Sequence, residues 1–199
     1  MNQHFFSPEP SSTTQAAEGL ARRAWTVVEI EEMVRLGILQ EDDRFELIGG
    51  EIVPMSPKGS KHEHYKGSLN NFWMTRKGNG YHIIQETTFR LDKHTFLEPD
   101  FVFYDSRVQV PQLAASNTLL AVEVSDSSFG YDRGRKSRIY ANFGVKALWV
   151  INVNTLETHV FGEAGIDGYR LTSVVGPNAT LVPEFAPELA VKLAELPLI

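Results

Sequence analysis

Two carboxylates lie within apolar runs of this sequence. Asp100 directly precedes the run FVF, and Glu123 lies inside the run AVEV. An unpaired anion near the core of a sheet is costly, and a metal ion would offset that cost. Mg²⁺ prefers hard oxygen ligands, so these two carboxylates and the main-chain carbonyl of Val124 would leave positions for water and a phosphate. The residues alone leave a second interpretation open, in which the aspartate lies in a turn and the glutamate pairs with an arginine.

A basic cluster follows the second carboxylate. Arg133, Arg135, Lys136 and Arg138 fill four of six consecutive positions. Such a turn would bind DNA phosphates and offset the acidic net charge locally, although a solvated helix face is the other interpretation. Asp132, which precedes the cluster, is predicted to cap its helix, with orientation of Lys136 as the alternative.

Other kinds of site are disfavoured by residue type and spacing. His62 and His64 are two positions apart, which places them on different faces of a helix, and no third ligand follows at metalloprotease spacing. The chain has 0 Cys, which excludes thiolate zinc sites, iron–sulfur clusters, disulfide scaffolds and cysteine nucleophiles. No nucleophile elbow or phosphate-cradling glycine loop is found either.

Apolar patterning predicts the elements that position these residues. Capping-box spacing opens one helix at Thr26 and a second at Ser60, and a hairpin is indicated around Gly49 and Gly50. Strands follow in YHIIQETTFRL, PDFVFYD and TLLAVEV and should form a central sheet. A helix over 132–143 and the strand KALWVINV suggest a crossover unit, before a hairpin and a closing amphipathic helix after Pro187.

Length and composition limit the organisation. The 199 residues are 42% hydrophobic and 22% charged, which predicts one mixed α/β domain with a central sheet carrying helices. We expect a flexible tail over residues 1–24 and a single domain over 25–199. Neither a membrane-spanning run nor a secretory signal is visible, so a soluble cytoplasmic protein is expected. The net charge of −6 disfavours nucleic-acid binding driven by charge alone.

Longer stretches resemble a known family. The run VEVSDSSFGYDRGRKSRIYANFGVKALWVIN, with FELIGGEIVPMSP and the pair Pro99-Asp100, resembles the Uma-type family of bacterial endonucleases in the PD-(D/E)XK superfamily. The resemblance spans the chain from about Trp25 to the C-terminus. It implies a restriction-endonuclease-like core, a four-stranded mixed β-sheet flanked by helices. It also implies metal-dependent hydrolysis of phosphodiester bonds in DNA.

The resemblance assigns roles to individual residues. Asp100 and Glu123 match the two acids that bind Mg²⁺, for which Mn²⁺ is a possible substitute. The superfamily's lysine two positions after the glutamate is Ser125 here, so the resemblance points to Lys136 on the following helix as the group that orients the attacking water. Glu46 resembles an auxiliary acid from the N-terminal element, with a solvent-facing strand residue as the alternative, and Glu51 is a weaker candidate. His62 is predicted to lie near the cleft because the family often has a histidine after the Met-Ser-Pro segment.

The leading hypothesis is therefore a Mg²⁺-dependent endonuclease that acts on DNA. A homodimer is expected, because cutting both strands of a duplex takes two active sites. A non-catalytic module of the same fold that binds nucleic acid or protein remains an alternative, because the lysine is displaced and no separate DNA-recognition domain is present. Hydrolysis of another phosphate ester is a third.

Overall fold

Two β-sheets and a set of short helices build the protein, a computed structural model that describes residues 22–40 and 42–197. The helices are α1 (Val27–Arg35), α2 (Ser60–Met74), α3 (Phe129–Tyr131) and α4 (Ser137–Asn142). A π-helical turn, Asp132–Lys136, joins α3 to α4. None of the described helices is long and apolar enough to cross a membrane. The tail predicted over residues 1–24 lies outside the described residues except for 22–24.

The larger sheet has six strands. Its spatial order is β10 (Gly168–Val175), β9 (Thr158–Gly165), β8 (Ala147–Asn152), β7 (Thr118–Ser125), β6 (Phe101–Asp105) and β3 (Tyr81–Gln85). Only β7 and β8 run parallel, joined by α3, the π-helical turn and α4 as a crossover connection. The remaining neighbours are antiparallel, so the sheet is mixed as predicted, with six strands rather than four.

The smaller sheet is antiparallel. Its order is β2 (Glu51–Pro54), β1 (Phe45–Ile48), β5 (Thr95–Leu97) and β4 (Phe89–Asp92). The predicted hairpin between β1 and β2 is confirmed, with Ile48 paired to Glu51. The run YHIIQETTFRL does not enter one sheet, because Glu86 has a left-handed φ of 47° and the chain leaves the larger sheet there. Its second half, β4, therefore belongs to the smaller sheet.

Both faces of the larger sheet are covered. On one face, Phe101 and Phe103 make edge-on ring contacts with Trp73 of α2, at centroid distances of 5.0 and 5.1 Å. On the other face, Val102 and Tyr140 of α4 belong to a second apolar cluster. Because neighbouring strand residues point to opposite faces, Glu123 and Ser125 lie on the α4 side, whereas Val122 and Val124 lie on the α2 side.

Three predicted helix features differ from the structure. The cap of α2 is Gly59, not Ser60, and no side chain caps it. Asp132 is not an N-cap, because the helix begins three residues earlier at Phe129. The prediction of a closing amphipathic helix is wrong. From Pro187 the chain forms only short 3₁₀ turns, and Val191 pairs with Leu181 as a β-bridge. At α1 the capping box of Thr26 and Glu29 is confirmed.

Candidate active site

The two acids of the apolar runs lie side by side in the larger sheet. The last register pair of β6 and β7 joins Phe101 to Val122, so Asp100 and Glu123 come next along the same ladder. The main-chain N–H of Val124 donates to Asp100 Oδ2 at 2.8 Å, which fixes the aspartate against β7. Asp100 and Glu123 are 5% and 4% exposed. Both acids are therefore buried and held by the sheet.

Lys136 joins the second acid to the smaller sheet. Its Nζ lies 2.7 Å from Glu123 Oε1 and 2.8 Å from Glu46 Oε1, and all three side chains are buried. Glu46, on β1, also accepts the main-chain N–H of Glu98 at 3.0 Å. The structure thus brings together the four residues predicted as catalytic, Asp100, Glu123, Lys136 and Glu46, which come from three distant segments of the chain.

The π-helical turn explains how a lysine from a helix reaches the acids. Asp132 Oδ2 accepts the hydroxyls of Ser125 and Ser128, at 2.7 and 2.6 Å, and its Oδ1 lies 3.9 Å from Lys136 Nζ. Ser125 occupies the strand position where the resembled superfamily has its lysine. In this chain that position anchors the turn that supplies the lysine instead.

Burial and charge shift the protonation of these groups. Burial raises the pKa of Glu123 to about 8, helped by the neighbouring carboxylates and opposed by Lys136. Burial also raises the pKa of Asp132. Burial alone would lower the pKa of Lys136, but Glu123, Glu46 and Asp132 raise it well above its ordinary value. The lysine stays protonated, and the acid cluster tends to retain a proton.

A cleft opens over these residues. It encloses about 380 Å³ and is lined by Asp100, Glu123, Val124 and Lys136 among others. His62, which the resemblance places near the cleft, also lines it, with its Nε2 2.9 Å from Asp100 Oδ1. Glu51, the weaker acid candidate, is exposed and pairs with Arg22 outside the cleft.

The residues present suit a hard divalent cation. In the described part of the chain no three carboxylate or imidazole groups converge on one ready-made coordination sphere. A cation here would use Asp100, Glu123, the carbonyl of Val124 and water, which is how proteins commonly hold Mg²⁺. Both hydrogen-bonding partners of Glu123, Lys136 and Tyr140, contact Oε1, and no described residue bonds Oε2. Three acids, Glu123, Glu46 and Asp132, lie within 4 Å of the one ammonium of Lys136, so a cation would also compensate negative charge.

Tyr131 contributes a buried hydroxyl with no protein partner. The residue lines the cleft, and no described residue hydrogen-bonds its hydroxyl. Burial, together with the negative charge of Glu46, raises the pKa of this tyrosine, so it remains a donor at neutral pH. A buried donor without an acceptor is uncommon and suggests that a bound group accepts it.

The predicted DNA-contacting arginines lie outside the cleft. Arg133, Arg135 and Arg138 are exposed on the turn and on α4, and none lines the cleft. The cations that do line it, besides Lys136, are Arg44 and Lys58, which the sequence reasoning missed. A signal existed for Arg44, because it precedes Glu46 by two positions and therefore shares its strand face.

Comparisons with known proteins identify a family and similar solved structures. The model of the Uma2 family, described as "Putative restriction endonuclease", matches residues 30–194. A crystal structure of a putative nuclease belonging to DUF820, from Anabaena variabilis, superposes with a TM-score of 0.60 at 17% identity, covering 81% of this chain and 94% of that one. The type IIG restriction endonuclease BpuSI matches with a TM-score of 0.39 at 16% identity, over 68% of this chain and 16% of that one. No curated protein matches.

Proposed function

Since this chain belongs to the Uma2 family, whose model is described as a putative restriction endonuclease, we propose that it is a Mg²⁺-dependent nuclease that hydrolyses phosphodiester bonds in DNA. One observation carries the proposal. The ammonium of Lys136 is hydrogen-bonded to Glu123 and salt-bridged to Glu46 beside Asp100, in a cleft that is open to a ligand. Buried acids can hold a metal ion and a lysine can stabilise developing negative charge, and metal-dependent phosphodiester hydrolysis uses both.

Each residue has a defined part in this proposal. Asp100, Glu123 and the Val124 carbonyl hold the metal ion, for which Mn²⁺ is a substitute. When bound, the ion supplies Lewis acidity at the phosphate and the attacking water. Lys136 orients that water and stabilises the negative charge that develops on the phosphoryl oxygens. Glu46 holds Lys136 in position from the smaller sheet.

His62 contacts the oxygen of Asp100 that the main chain of Val124 does not. Its Nε2 faces Asp100 Oδ1, while its Nδ1 lies 3.1 Å from Glu63 Oε1. An imidazole fixed between two carboxylates limits the rotation of Asp100, and so keeps the ligand oxygen oriented. Arg133, Arg135 and Arg138 remain proposed phosphate contacts outside the cleft, and a homodimer remains the proposed assembly for cutting both strands.

The test is cleavage of supercoiled plasmid and of labelled single- and double-stranded oligonucleotides in Mg²⁺, Mn²⁺ or EDTA. We expect Asp100→Asn and Lys136→Met to lose activity by about a hundredfold or more, because each removes a group that acts on the transition state. Asp105→Asn is the matched control, since Asp105 ends the same strand and pairs with Arg107 away from the cleft.

Measurements of folding and of metal binding make the outcome decisive. Circular dichroism must show that each variant is folded, and calorimetry should show that Asp100→Asn no longer binds Mg²⁺. Activity that survives in Asp100→Asn would point to a contaminant or to another site. If the wild type is folded and binds Mg²⁺ but cleaves none of the substrates, the non-catalytic binding module is favoured. Cleavage of a small phosphodiester alone would favour a different phosphate ester as substrate.

A further inference from the structure

Arg44 is a cation in the cleft without a carboxylate partner. Its side chain is half-buried beside the β1–β2 hairpin, and its guanidinium contacts Met55 Sδ at 4.0 Å. No described carboxylate lies within ion-pair distance of it, although acids line the same cleft. A guanidinium carries five N–H donors in a planar fork that suits phosphate. This fork is therefore available to an anion that enters the cleft.

Lys58 is a second cation of the cleft, and its closer carboxylate partner, Glu86, is shared with Lys66. Its side chain is 17% exposed, pairs with Glu86, and lies 4.0 Å from Asp100 Oδ1. Glu86 also binds Lys66, at 2.7 Å. If Lys58 turned toward a ligand, Glu86 would keep Lys66 and would not be left unpaired. Lys58 can therefore change partners at small energetic cost.

The two cations face a common region. Arg44 and Lys58 line the same cleft. Like charges held near each other in a partly buried site repel, and an anion between them removes that repulsion. Lys136, by contrast, is held in place by Glu46 and Glu123, both within 2.8 Å, and cannot exchange these partners as Lys58 can.

We propose that Arg44 and Lys58 form a phosphate-binding subsite that holds the DNA backbone beside the scissile phosphate. The inference rests on the proposed function and adds residues that position the substrate. Arg44 presents two parallel N–H groups to the non-bridging oxygens of one phosphate, and Lys58 leaves Glu86 to contribute a point charge. The subsite differs from Arg133, Arg135 and Arg138, which lie outside the cleft.

The experiment measures equilibrium binding of a fluorescent duplex oligonucleotide by anisotropy over a range of salt. Ca²⁺ replaces Mg²⁺, because it takes the same hard oxygen ligands, and gels verify that the DNA stays intact. We expect Arg44→Gln and Lys58→Gln each to weaken binding about tenfold, as for a lost hydrogen bond to a charged group. Each should also reduce the slope of log Kd against log salt by about 0.9, the value for one duplex phosphate contact.

Matched variants separate this subsite from general loss of charge. Lys61→Gln removes an exposed lysine three positions from Lys58, bonded to Asn154, and Arg107→Gln removes an exposed guanidinium paired with Asp105. Both should bind as the wild type does. Arg44→Lys should restore the salt slope and only part of the affinity, because the fork is lost. Glu86→Gln should tighten binding, since Lys58 is then released.

The outcomes are distinguishable from those of the nuclease test. The subsite is overturned if Arg44→Gln and Lys58→Gln keep the salt slope of the wild type. It is also overturned if Lys61→Gln loses as much DNA affinity as they do. Absence of DNA binding by the folded wild type overturns it as well. Binding that changes as expected, without cleavage in Mg²⁺, supports the subsite and overturns the nuclease function. Cleavage and binding unaffected by both substitutions support the nuclease and overturn the subsite.

Discussion

At the scale of single residues, the site depends on one buried lysine. Lys136 is 3% exposed, and burying an unpaired ammonium would be prohibitive without acidic partners. Glu123 and Glu46 provide those partners from two different sheets. Tyr140 adds a hydrogen bond from its hydroxyl to Glu123 Oε1 at 2.6 Å. The same contacts that make the charge tolerable also fix its position over the cleft, so stability and function share these residues.

Two tyrosines in this cluster allow a matched comparison. We expect Tyr140→Phe to lower the free energy of unfolding by about 1–3 kcal/mol, because Glu123 Oε1 loses a buried hydrogen-bond donor. Tyr131→Phe should change it by less than about 0.5 kcal/mol, since no described residue bonds that hydroxyl. Urea denaturation of both variants and the wild type measures the difference. Equal losses in the two variants would show that Tyr131 has a structural partner.

The sequence predicted the acids and the buried lysine of the site better than the other cations that line the cleft. Asp100 and Glu123 interrupt apolar runs, and the resemblance pointed to Glu46 and Lys136, so each carried a local signal. Arg44 carried only its two-residue spacing from Glu46 as a signal and Lys58 carried none, because isolated cations beside a hairpin and a loop are usually solvated. Their meaning depends on how the smaller sheet folds over the larger one, which local patterning does not specify.

At the scale of elements, the π-helical turn sets where Lys136 lies. Its Asp132 is tied to Ser125 on β7 and to Ser128, and its Lys136 to two acids. These anchors hold the turn at both ends. Gly134, in its middle, has a negative φ and no atom within 4 Å of an added Cβ. The geometry of the turn is therefore imposed by side-chain contacts and does not need a glycine.

Two glycine substitutions test this account. Gly134→Ala should raise the free energy of unfolding by about 0.5–1 kcal/mol, through reduced backbone entropy, and should leave cleavage unchanged. Gly50→Ala should instead destabilise by about 2 kcal/mol or more, because Gly50 has a φ of 83° and an added Cβ would lie 2.6 Å from Ala24 Cα. Thermal and urea unfolding compare the two. Loss of cleavage in a stable Gly134→Ala protein would show that the turn must flex.

Element prediction succeeded where the pattern fitted one periodicity. The capping box of α1, the β1–β2 hairpin and the β7–β8 crossover are confirmed. The C-terminal segment was misread because Leu189, Leu193 and Leu196 follow helical spacing, whereas Leu189, Val191 and Leu193 follow strand spacing. The structure follows neither pattern throughout, because Val191 pairs with Leu181 between two 3₁₀ turns and the carbonyl of Leu189 accepts the indole N–H of Trp73 at 3.3 Å.

At the scale of the whole molecule, the folded chain keeps an excess of negative charge in its centre. The net charge is −6 overall, and the acids around Lys136 concentrate part of it in a buried cluster.

The boundary predicted between residues 24 and 25 remains a prediction. Arg23 pairs with Glu29, and the N–H of Trp25 donates to Gly50 at 2.9 Å. A test of that boundary should therefore begin the chain at Arg22.

The central cluster makes stability depend on pH in a defined direction. Burial raises the pKa of Glu123 to about 8, whereas in the unfolded chain a glutamate titrates near 4.3. Between these values the folded state binds more protons than the unfolded state. The free energy of unfolding contributed by this group therefore falls as pH rises, by at most about 1.4 kcal/mol per pH unit, and the loss is complete above about pH 8.

Substitution of this glutamate isolates its contribution. Glu123→Gln cannot ionise, so its stability relative to the wild type should increase steadily from pH 5 to pH 8.5. Because a metal ion binds the deprotonated carboxylate, Mg²⁺ should stabilise the wild type more at pH 8 than at pH 6 and should have little effect on Glu123→Gln. Glu51→Gln is the control, since Glu51 is exposed, and its profile should parallel the wild type. Urea unfolding across this pH range, with Mg²⁺ or EDTA, gives these differences. Parallel profiles of unfolding free energy against pH for Glu123→Gln and the wild type would contradict the prediction. They would mean that Glu123 is already ionised at pH 5 and that Lys136 compensates it fully.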